Sequence, residues 1–485
     1  MKKLFAAATF TLISFVALPA WGSGILAARF GGEHGHPTTS NPTAIYYNPA
    51  GLSLEKGTRI YLDGTFALRH ASYLRPASAI GNIGTFDSDG RLVNEAGDPI
   101  DGTPQDAISA NAGEAELSNL VVSPFIAVVS DFGIENLGVG LGFYVPFGGA
   151  AVWGRNRLYE DTELGRRYPG AEDGPQRWFT EDGKIQSLYF TLAGSYRLPE
   201  PRLSFGLGLS LIRNTIHTVR ARNSDGTDDL VFASGEPKEG RSMVEADNWD
   251  FGLSAGVIWE PVENLWVGLS YQSQPGFGTS ELEGTLTTSL SGTTSEEAIR
   301  FQQSLPDILR LGGRWRLDPS WELRLFGEFV RWSVFKEQCV LAKDVDGDCD
   351  WNPDGTARAS ANGAIIQNIP REWKNAFGIR AGASYWISPP VEAYLGAGYD
   401  SNAIPSKTLD PSLYDMNKVT VAAGARFDLM EDLQLSATFT QVIYATRTTT
   451  VEESQPYTAP SWQPSSAGTY RQSISVLDVS AQYRF

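Results

Sequence analysis

The sequence is poor in several residue types, and their scarcity excludes whole classes of protein. It has 485 residues but only two cysteines, four histidines and four methionines. Two cysteines cannot build a disulfide framework, so the fold must be held together by its core. The sequence has no phosphate-binding loop, no G-x-S-x-G elbow and no metal-protease helix motif. It therefore predicts neither an enzyme nor a cofactor.

The chain also lacks a net positive charge and long apolar runs. The formal net charge is −17, which argues against a nucleic-acid partner because such binding needs a basic surface. Past the N-terminus there is no run of about 18 apolar residues, so no transmembrane helix is predicted. The chain is instead rich in glycine (50 residues) and in aromatic residues (11%). This combination favours a protein with many strands.

The first 22 residues predict a secretory signal peptide. Two lysines precede an apolar run that ends in small residues, "MKKLFAAATFTLISFVALPAWG". This is the order of the charged, hydrophobic and cleavage regions of such a signal. Cleavage is expected after Gly22, and cleavage after Ala20 is almost equally compatible. An uncleaved membrane anchor is the disfavoured alternative because the apolar run is short.

Alternation of apolar and small or polar residues is the main structural signal. It runs through 203–211, 249–259 and 477–485, and a period of two with one apolar face is typical of a strand. The pattern predicts fourteen strands, at 58–75, 119–131, 137–146, 184–197, 202–221, 241–260, 264–288, 306–318, 320–340, 371–388, 391–400, 417–428, 432–449 and 470–485.

The predicted connections alternate between short and long. Tight turns follow the even-numbered strands, and long loops follow the odd-numbered ones, at 76–118, 147–183, 222–240, 289–305, 341–370, 401–416 and 450–469. Outer-membrane barrels have this layout, with short periplasmic turns and long extracellular loops. Closure also leaves no unpaired strand edge in the bilayer. The sequence therefore predicts an all-β fold, a fourteen-stranded antiparallel transmembrane β-barrel over residues 57–485, in the bacterial outer membrane.

Aromatic residues near the predicted strand ends fit the same interpretation. Six tryptophans are predicted to form interfacial girdles, namely Trp249, Trp259, Trp315, Trp321, Trp373 and Trp386. For some of them, packing against loops is the alternative. The chain ends on Phe485, with Tyr483 two residues earlier. A terminal aromatic residue on an amphipathic last strand resembles the signal read by the barrel assembly machinery. An ordinary terminal strand is the alternative.

Residues 23–56 precede the first strand and do not alternate. In "SNPTAIYYNPAGLS", Ser40 or Asn41 can cap a short helix. Asn48 can end that helix, and Pro49 then fixes the next backbone angle. We predict a small rigid segment, the hatch, that plugs the lumen, because a barrel of this size is otherwise an open aqueous pore.

The same segment resembles the mature N-terminus of the long-chain fatty acid transporter family, the FadL/TodX-type outer-membrane channels. In that family a start containing Gly and Ala leads into an A-x-x-x-N-P-A core. The matching residues here are Ala44, Asn48, Pro49 and Ala50, extended by Gly51 and Leu52. The motif match covers residues 23–56. Beyond it, the resemblance is one of length, strand number, loop layout and the terminal Phe.

The resemblance implies passive uptake of hydrophobic small molecules. Long-chain fatty acids are the favoured substrate class, followed by aromatic or aliphatic hydrocarbons. The hatch is expected to move locally when substrate binds, and substrate is expected to leave sideways beside a kinked third strand. A general diffusion porin is the competing class, and a plug argues against it. The implied partners are the substrate, outer-membrane lipid and lipopolysaccharide, and the assembly machinery, with the protein a monomer.

The third predicted strand, "LGVGLGFYVPFGG", is rich in glycine and contains a proline. Such residues mark bulges, bends and broken ladders, although glycine is also common on lumen faces. The candidate residues for the lateral opening are Gly140, Gly142, Pro146, Gly148 and Gly149.

Two polar clusters are candidates for metal sites. His34 and His36, next to Glu33, could ligate a metal, but a polar hatch loop is the favoured interpretation because further ligands are missing. Asp350, Asn352 and Asp354 match the first half of a calcium loop.

That calcium match is incomplete, because Ala361 occupies the position of the bidentate carboxylate. A solvated acidic loop is therefore favoured, and no metal is predicted. Cys339 and Cys349 lie ten residues apart in the same stretch. They are expected to form a disulfide in an oxidising compartment.

Overall fold

The structure is a computed structural model of the chain. It describes residues 26–27, 29–81, 85–86, 92–93, 104–167, 169–230, 238–290, 292–352, 356–454, 456–457 and 460–485. The predicted signal peptide, 1–22, lies outside these residues. Among the described residues, no helix is both long enough and apolar enough to cross a membrane.

Fourteen antiparallel strands form one closed barrel. They are β1 (Arg59–Arg75), β2 (Gly113–Ser130), β3 (Leu137–Val152), β4 (Asp182–Leu198), β5 (Leu203–Arg222), β6 (Gly240–Val262), β7 (Leu265–Gln272), β8 (Ile308–Arg316), β9 (Trp321–Val330), β10 (Ala376–Ser388), β11 (Val391–Asp400), β12 (Lys418–Asp428), β13 (Leu433–Tyr444) and β14 (Gly468–Arg484). Closure is complete because β1 pairs with β14 from Arg59↔Arg484 to Leu74↔Thr469. The predicted fold class is confirmed.

The period-two pattern separates an apolar outside from a polar inside. On β5, Leu207 and Leu209 are exposed to the outside, whereas Ser204 and Ser210 are buried inside. The same alternation runs around the barrel and leaves a belt of exposed apolar side chains, as expected for a surface that faces lipid.

Four neighbouring strands are interrupted at the same level, which the sequence did not predict. The strands β7, β8, β9 and β10 each stop at a break, which lies at 273–279, 304–307, 331–336 and 371–375, respectively. On the other side of each break the chain forms a separate strand segment. These segments are Ser280–Leu290, Thr293–Gln303, Glu337–Ala342 and Ile365–Pro370. The predicted strands at 264–288 and 320–340 are therefore wrong in being continuous, and the strand predicted at 371–388 begins only at Ala376.

The predicted long loop 289–305 is also wrong. Ser280–Leu290 and Thr293–Gln303 form a hairpin whose pairing runs from Ser280↔Gln303 to Leu290↔Thr293. Gly292 has φ +74°, a conformation that glycine adopts without a steric penalty and that suits a tight turn. The polar residues that suggested a loop are instead the exposed side chains of a hairpin that extends beyond the membrane.

Besides the strands of the wall, the described residues form short helices and short strands. The helices are α1 (Ala44–Tyr47), α2 (Pro104–Asn111) and α3 (Glu163–Arg167). Single-turn helices span Gly32–His34, Pro49–Leu54, Ala77–Ala79, Pro169–Asp173, Pro275–Phe277, Trp332–Val334, Ala359–Ala361 and Ser406–Thr408. The remaining short strands are Leu26–Ala27, Thr85–Phe86, Leu92–Val93 and Arg447–Thr449.

Extracellular loops fold inward over the mouth of the barrel. In the loop 401–417, Ile404, Leu409 and Tyr414 are almost fully buried. The loop 450–467 packs on it, and the hydroxyl of Ser466 donates to the carbonyl of Leu409 at 2.7 Å. Together with the hatch, these loops occupy much of the lumen.

Candidate functional site

The hatch is a compact segment enclosed by the barrel. The helix α1 begins at Ala44, after a turn in which the Asn41 side chain accepts from the Thr43 amide at 2.9 Å. Asn48 ends the helix, as expected, and its side chain accepts from the Ala50 amide at 3.1 Å. Ala44, Asn48 and Ala50 have no exposed surface. The hatch motif is therefore buried inside the lumen.

Asn48 joins the hatch to itself and to the barrel wall. Its Nδ2 donates to the carbonyl of Pro37 at 2.8 Å and to the carbonyl of Val257, on β6, at 3.2 Å. The hydroxyl of Ser270, on β7, donates to the carbonyl of Tyr47 at 2.6 Å. A carboxamide is needed at residue 48 because one side chain both accepts and donates here.

Glycines on the inner face of the wall make room for the hatch. A Cβ added to Gly256 would overlap Oδ1 of Asn48, and one added to Gly206 would overlap the backbone at Ala50. A Cβ at Gly138 would overlap the backbone of Leu52. The close approach of two backbones requires this absence of side chains, so the wall and the hatch motif fit each other residue by residue.

Charged groups of the wall hold the aromatic side of the hatch. The Arg310 guanidinium lies 4.5 Å from the centre of the Tyr46 ring, and its Nε donates to Glu328 at 2.7 Å. The Phe30 ring packs on Tyr46 at 5.2 Å and on Phe125 of β2 at 5.0 Å.

The hatch histidines lie among charged groups of the wall. Nε2 of His34 is 3.3 Å from Oε1 of Glu392, and the amide of Thr38 donates to Nδ1 of His36 at 3.3 Å. Burial lowers the pKa of both histidines well below its usual value, and nearby arginines, Arg426 for His34 and Arg324 for both, act in the same direction. Both side chains are therefore neutral at neutral pH.

The wall has a gap between β2 and β3. The two strands pair only from Ser130↔Val139 to Phe125↔Tyr144. Beyond this point, among the described residues, no ladder joins 113–124 to 145–152. Three bonds cross the gap: Ser123 Oγ to the carbonyl of Val145 (3.4 Å), Asn119 Nδ2 to the carbonyl of Ala150 (3.3 Å) and the amide of Gly154 to the carbonyl of Glu116 (3.0 Å).

A bulge in β3 produces the gap. The pairing of β3 with β4 shifts between Tyr144 and Phe147, and the proline at 146 has no amide to donate to a ladder. The open edge of β3 is taken up by the N-terminus of the hatch, because Leu26 pairs with Gly148 and Ala27 pairs with Phe147. The N-terminal segment therefore lies beside the gap.

The five residues predicted for a lateral opening fall into two groups. Pro146, Gly148 and Gly149 lie in the stretch that has lost its pairing with β2. Gly140 and Gly142 lie in the part of β3 that is still regularly paired with β2. A Cβ on either glycine would press on the side chain of Ile45 in the hatch. Gly140 and Gly142 thus face the hatch, which their position in the sequence did not reveal.

A cavity of about 240 Å³ lies between the hatch and the inward-folded loops. Arg29 and Gly32 of the hatch form its floor, and Tyr414 is on its loop side. Val121 of β2 and Val145 of β3, on opposite sides of the gap, also line it. The cavity therefore extends to the gap in the wall.

Most of the cavity wall is apolar. One side carries Val330, Trp332 and Trp373, and the other carries Ile474 and Val476. Trp332 and Trp373 pack on each other at 4.7 Å. Trp373 was predicted in an interfacial girdle, and this was wrong, because the side chain is 5% exposed and points into the lumen.

Arg69 differs from the other cations that line the cavity. Arg29 lies 3.4 Å from Glu33, Arg380 lies 2.8 Å from Asp400, and Lys418 lies 2.8 Å from Asp415. Arg69 has no carboxylate partner among the described residues, and it is fully buried.

The guanidinium of Arg69 is only partly satisfied. Its Nε donates to Gln472 at 2.8 Å, and its carbon lies 5.2 Å from the centre of the Tyr414 ring. Its two terminal nitrogens have no acceptor at hydrogen-bond geometry among the described residues, and the Tyr414 hydroxyl is the neutral group that interacts with them. A buried cation in this state costs several kcal/mol, and an anion in the cavity would remove that cost. No pattern in the sequence distinguishes Arg69, because any polar residue on an inward position fits the alternation.

None of the described residues of the loop that carries the cysteines lines this cavity. Cys339 and Cys349 are joined by a disulfide with an S–S distance of 2.06 Å. Asp350 and Asn352 both bind the guanidinium of Arg358, at 3.2 Å each. Asp354 lies outside the described residues, so the structure does not test whether this loop binds calcium.

The chain end lies at the seam of the barrel. The amide of Phe485 donates to the carbonyl of Thr58 at 2.9 Å, and its ring packs on Tyr483 at 4.8 Å. The Phe485 side chain is 72% exposed, so little of its surface contributes to the core.

These features together define a plugged barrel with an apolar internal cavity that reaches a gap in its wall. The family model described as "Outer membrane protein transport protein (OMPP1/FadL/TodX)" matches residues 6–485, and the chain belongs to this family. It is an outer-membrane transporter of hydrophobic compounds, as the resemblance of the hatch motif implied. The family consists of transport channels.

Individual relatives are distant. The chain is 23% identical, over 278 residues, to the long-chain fatty acid transport protein of Escherichia coli O6:H1, which covers 52% of this chain and 57% of that protein. The chain thus matches just over half the length of that relative.

The fold is shared more widely than the sequence. A Pseudomonas aeruginosa FadL homologue has a TM-score of 0.69 at 17% identity, over 96% of this chain and all of the other. The Pseudomonas putida toluene transporter TodX has a TM-score of 0.59 at 16% identity, over 96% and 99%. The two solved structures share the barrel architecture.

Proposed function

We propose that this channel takes up long-chain fatty acids and releases them sideways into the outer membrane. The observation that supports a carboxylate-bearing substrate is the buried Arg69, which lacks an anionic partner among the described residues. It lies in a mostly apolar cavity in which Arg29, Arg380 and Lys418 each have a carboxylate partner. A fatty acid has both parts that such a site needs. Its carboxylate would bind the terminal nitrogens of Arg69, and its chain would lie along the apolar wall.

The position of the gap supports lateral release. Transfer of an acyl chain from apolar surroundings into water costs about 0.8 kcal/mol for each CH₂. A path from the cavity past Val121 and Val145 leads directly to lipid and avoids this cost. Release through the periplasmic end would expose the whole chain to water and would require the hatch to leave the lumen. The process is downhill and needs no cofactor.

The hatch is the proposed gate of this path. Leu26 and Ala27 occupy the open edge of β3, and Arg29, two residues later, lines the cavity. A ligand that contacts Arg29 would therefore act on the segment beside the gap. We propose that release of Leu26–Ala27 from β3 widens the opening while the Asn48 anchor stays in place. Pro146, Gly148 and Gly149 would form one side of the opening.

Aromatic or aliphatic hydrocarbons are the second candidate substrates. The Trp332–Trp373 pair gives the cavity an aromatic wall, and a toluene transporter has the same fold. Such substrates need no cation, however, and would leave Arg69 unpaired. A general diffusion porin is the least favoured candidate, because the hatch and the loops fill the lumen.

Binding measurements on the full chain in detergent distinguish these candidates. The probes are palmitate, its methyl ester and toluene, and the variants are Arg69→Gln, Arg69→Lys and, as a control, Arg213→Gln, an arginine on the outside of β5. We expect Arg69→Gln to weaken palmitate binding about 10- to 100-fold, because the variant loses a charge-assisted hydrogen bond to the carboxylate. The methyl ester should bind all variants alike.

Other outcomes would contradict the proposal in distinct ways. Equal binding of palmitate to wild type and Arg69→Gln would overturn the carboxylate site, and tighter binding of toluene would favour the hydrocarbon candidate. Free passage of a small sugar through the intact protein in liposomes would favour a porin.

A further inference from the structure

A second cavity of about 60 Å³ lies on the extracellular side of the first. We call it the outer cavity, and the one that contains Arg69 the inner cavity. Its apolar side chains include Phe179, Ile216 and Val340, and it also contains Lys184 and Arg220. The two cavities therefore have the same character, an apolar wall with cationic groups.

Residues that are adjacent in sequence line the two cavities at two places, which together we call the partition. On the loop 401–417, Leu413 lines the outer cavity and Tyr414 lines the inner one. On β3, the same change occurs between Gly149, which lines the outer cavity, and Gly148, which lines the inner one. The Leu413–Tyr414 pair and the bulged strand therefore both lie at the boundary between the two cavities.

The loop segment that forms the partition is anchored at both ends. Asp410 accepts from Arg371 at 2.8 Å, and Asp415 accepts from Lys418 at 2.8 Å. These are charge-assisted bonds between buried groups, which are strong and directional. The anchors hold the loop backbone in place while leaving rotation of the Tyr414 side chain as the way to open the partition.

The Tyr414 ring is held by aromatic packing and by the cation of the binding site. Its centre lies 5.6 Å from that of Tyr470 and 6.5 Å from that of Trp153. The Arg69 guanidinium lies over the ring at 5.2 Å. A cation–π contact of this kind is weaker than a bond between a guanidinium and a carboxylate.

We infer that Tyr414 controls passage from the outer cavity to the inner cavity. The inference rests on the proposed function, because the carboxylate is what competes with the Tyr414 ring for Arg69. When the carboxylate reaches Arg69, the cation–π contact is lost and the ring is free to rotate. The acyl chain then follows the head group into the inner cavity.

Stopped-flow association of a naturally fluorescent long-chain fatty acid, cis-parinaric acid, with the full chain in detergent tests this role. Tyr414→Ala removes the ring, and Tyr414→Trp enlarges it. Tyr159→Ala is the matched control, because Tyr159 is an equally buried loop tyrosine that lines neither cavity. We expect Tyr414→Ala to raise the association rate at least about fivefold, as for removal of a gate. Tyr414→Trp should lower it, and Tyr159→Ala should leave it unchanged.

The outcomes separate this inference from the proposed function. Wild-type association rates in both Tyr414 variants, with palmitate binding still lost in Arg69→Gln, would overturn the gate and leave the function standing. Faster association of both the acid and its methyl ester in Tyr414→Ala, with no effect of Arg69→Gln, would support the gate and overturn the carboxylate site. If Tyr414→Ala does not fold into a heat-modifiable barrel, the Tyr414→Trp rate decides, because a rate equal to that of wild type contradicts the gate.

Discussion

The carboxamide of Asn48 occupies the space that a side chain at residue 256 would fill, so Gly256 and Asn48 form one contact between hatch and wall. Asn48 also donates to the carbonyls of Val257 and Leu269, at 3.2 and 3.4 Å, on either side of that glycine. A side chain at residue 256 and the carboxamide of Asn48 would occupy the same space, so a larger residue at position 256 displaces Asn48.

A methyl group at residue 256 should loosen the hatch. In Gly256→Ala the added Cβ would displace the Asn48 side chain and weaken its bonds to the wall, which we expect to destabilise hatch docking by about 1–3 kcal/mol. The measurement is leakage of a small sugar from liposomes that contain the variant. Gly194→Ala is the control, because a Cβ at Gly194 meets no atom within 4 Å. A Gly256→Ala barrel as tight as wild type would contradict this interpretation of the motif.

Acid should also loosen the hatch. Burial and nearby arginines lower the pKa of His34 and His36 in the docked hatch, whereas an undocked hatch would have ordinary histidines with a pKa near about 6.5. The undocked state therefore binds more protons, and docking is stable above that pH and weakens as the pH falls below it. We expect sugar leakage to rise between neutral pH and about pH 5.

The pH effect has a matched control. The double variant His34→Gln/His36→Gln should leak equally at both pH values, whereas His217→Gln, on the extracellular part of β5, should behave as wild type. A pH dependence that persists in the double variant would assign the effect to other groups.

The last residue should matter for assembly more than for stability. Phe485 buries little surface, and its hydrogen bond to Thr58 uses the backbone. Phe485→Ala should therefore change the free energy of unfolding of the refolded barrel by less than about 0.5 kcal/mol. In cells it should lower the amount of heat-modifiable barrel in the outer membrane, which gel mobility measures. Phe427→Ala, another exposed aromatic residue, is the control. Normal assembly of Phe485→Ala would show that the terminal residue is not a signal.

The sequence predicted the barrel because one physical rule, alternation, acts on every strand. The rule separates Leu207 from Ser204 without any knowledge of the neighbouring strands. It failed where the backbone breaks without a change of pattern, as at 331–336 and 371–375. It also failed for Trp373, because an aromatic residue near a strand end has the same pattern whether it faces lipid or lumen.

The site was predicted less completely than the fold. The hatch motif is local, so Asn48 and its neighbours were recognisable in the sequence. Pro146 indicated a bulge in β3, but the gap also depends on β2, whose partner residues are distant in sequence. Arg69 was not predicted, because what distinguishes it is the absence of a carboxylate nearby, and that is a property of the packed lumen alone.

The most direct test of lateral release is to close the gap between β2 and β3. Ser123→Cys and Val145→Cys would place two thiols on opposite sides of it, where Ser123 Oγ now lies 3.4 Å from the Val145 carbonyl. Both native cysteines are in a disulfide, so a short thiol cross-linker would react with the introduced pair. Thr448→Cys/Thr469→Cys, a pair of neighbouring threonines on the short strand Arg447–Thr449 and on β14, is the control.

The measurement is the rate at which the cross-linked protein, reconstituted in liposomes, transfers palmitate into the bilayer. We expect the cross-link across the gap to reduce transfer to the background of protein-free liposomes, with palmitate binding unchanged, while the control cross-link has no effect. Transfer at the wild-type rate through the closed gap would show that substrate leaves by another path, and would contradict lateral release.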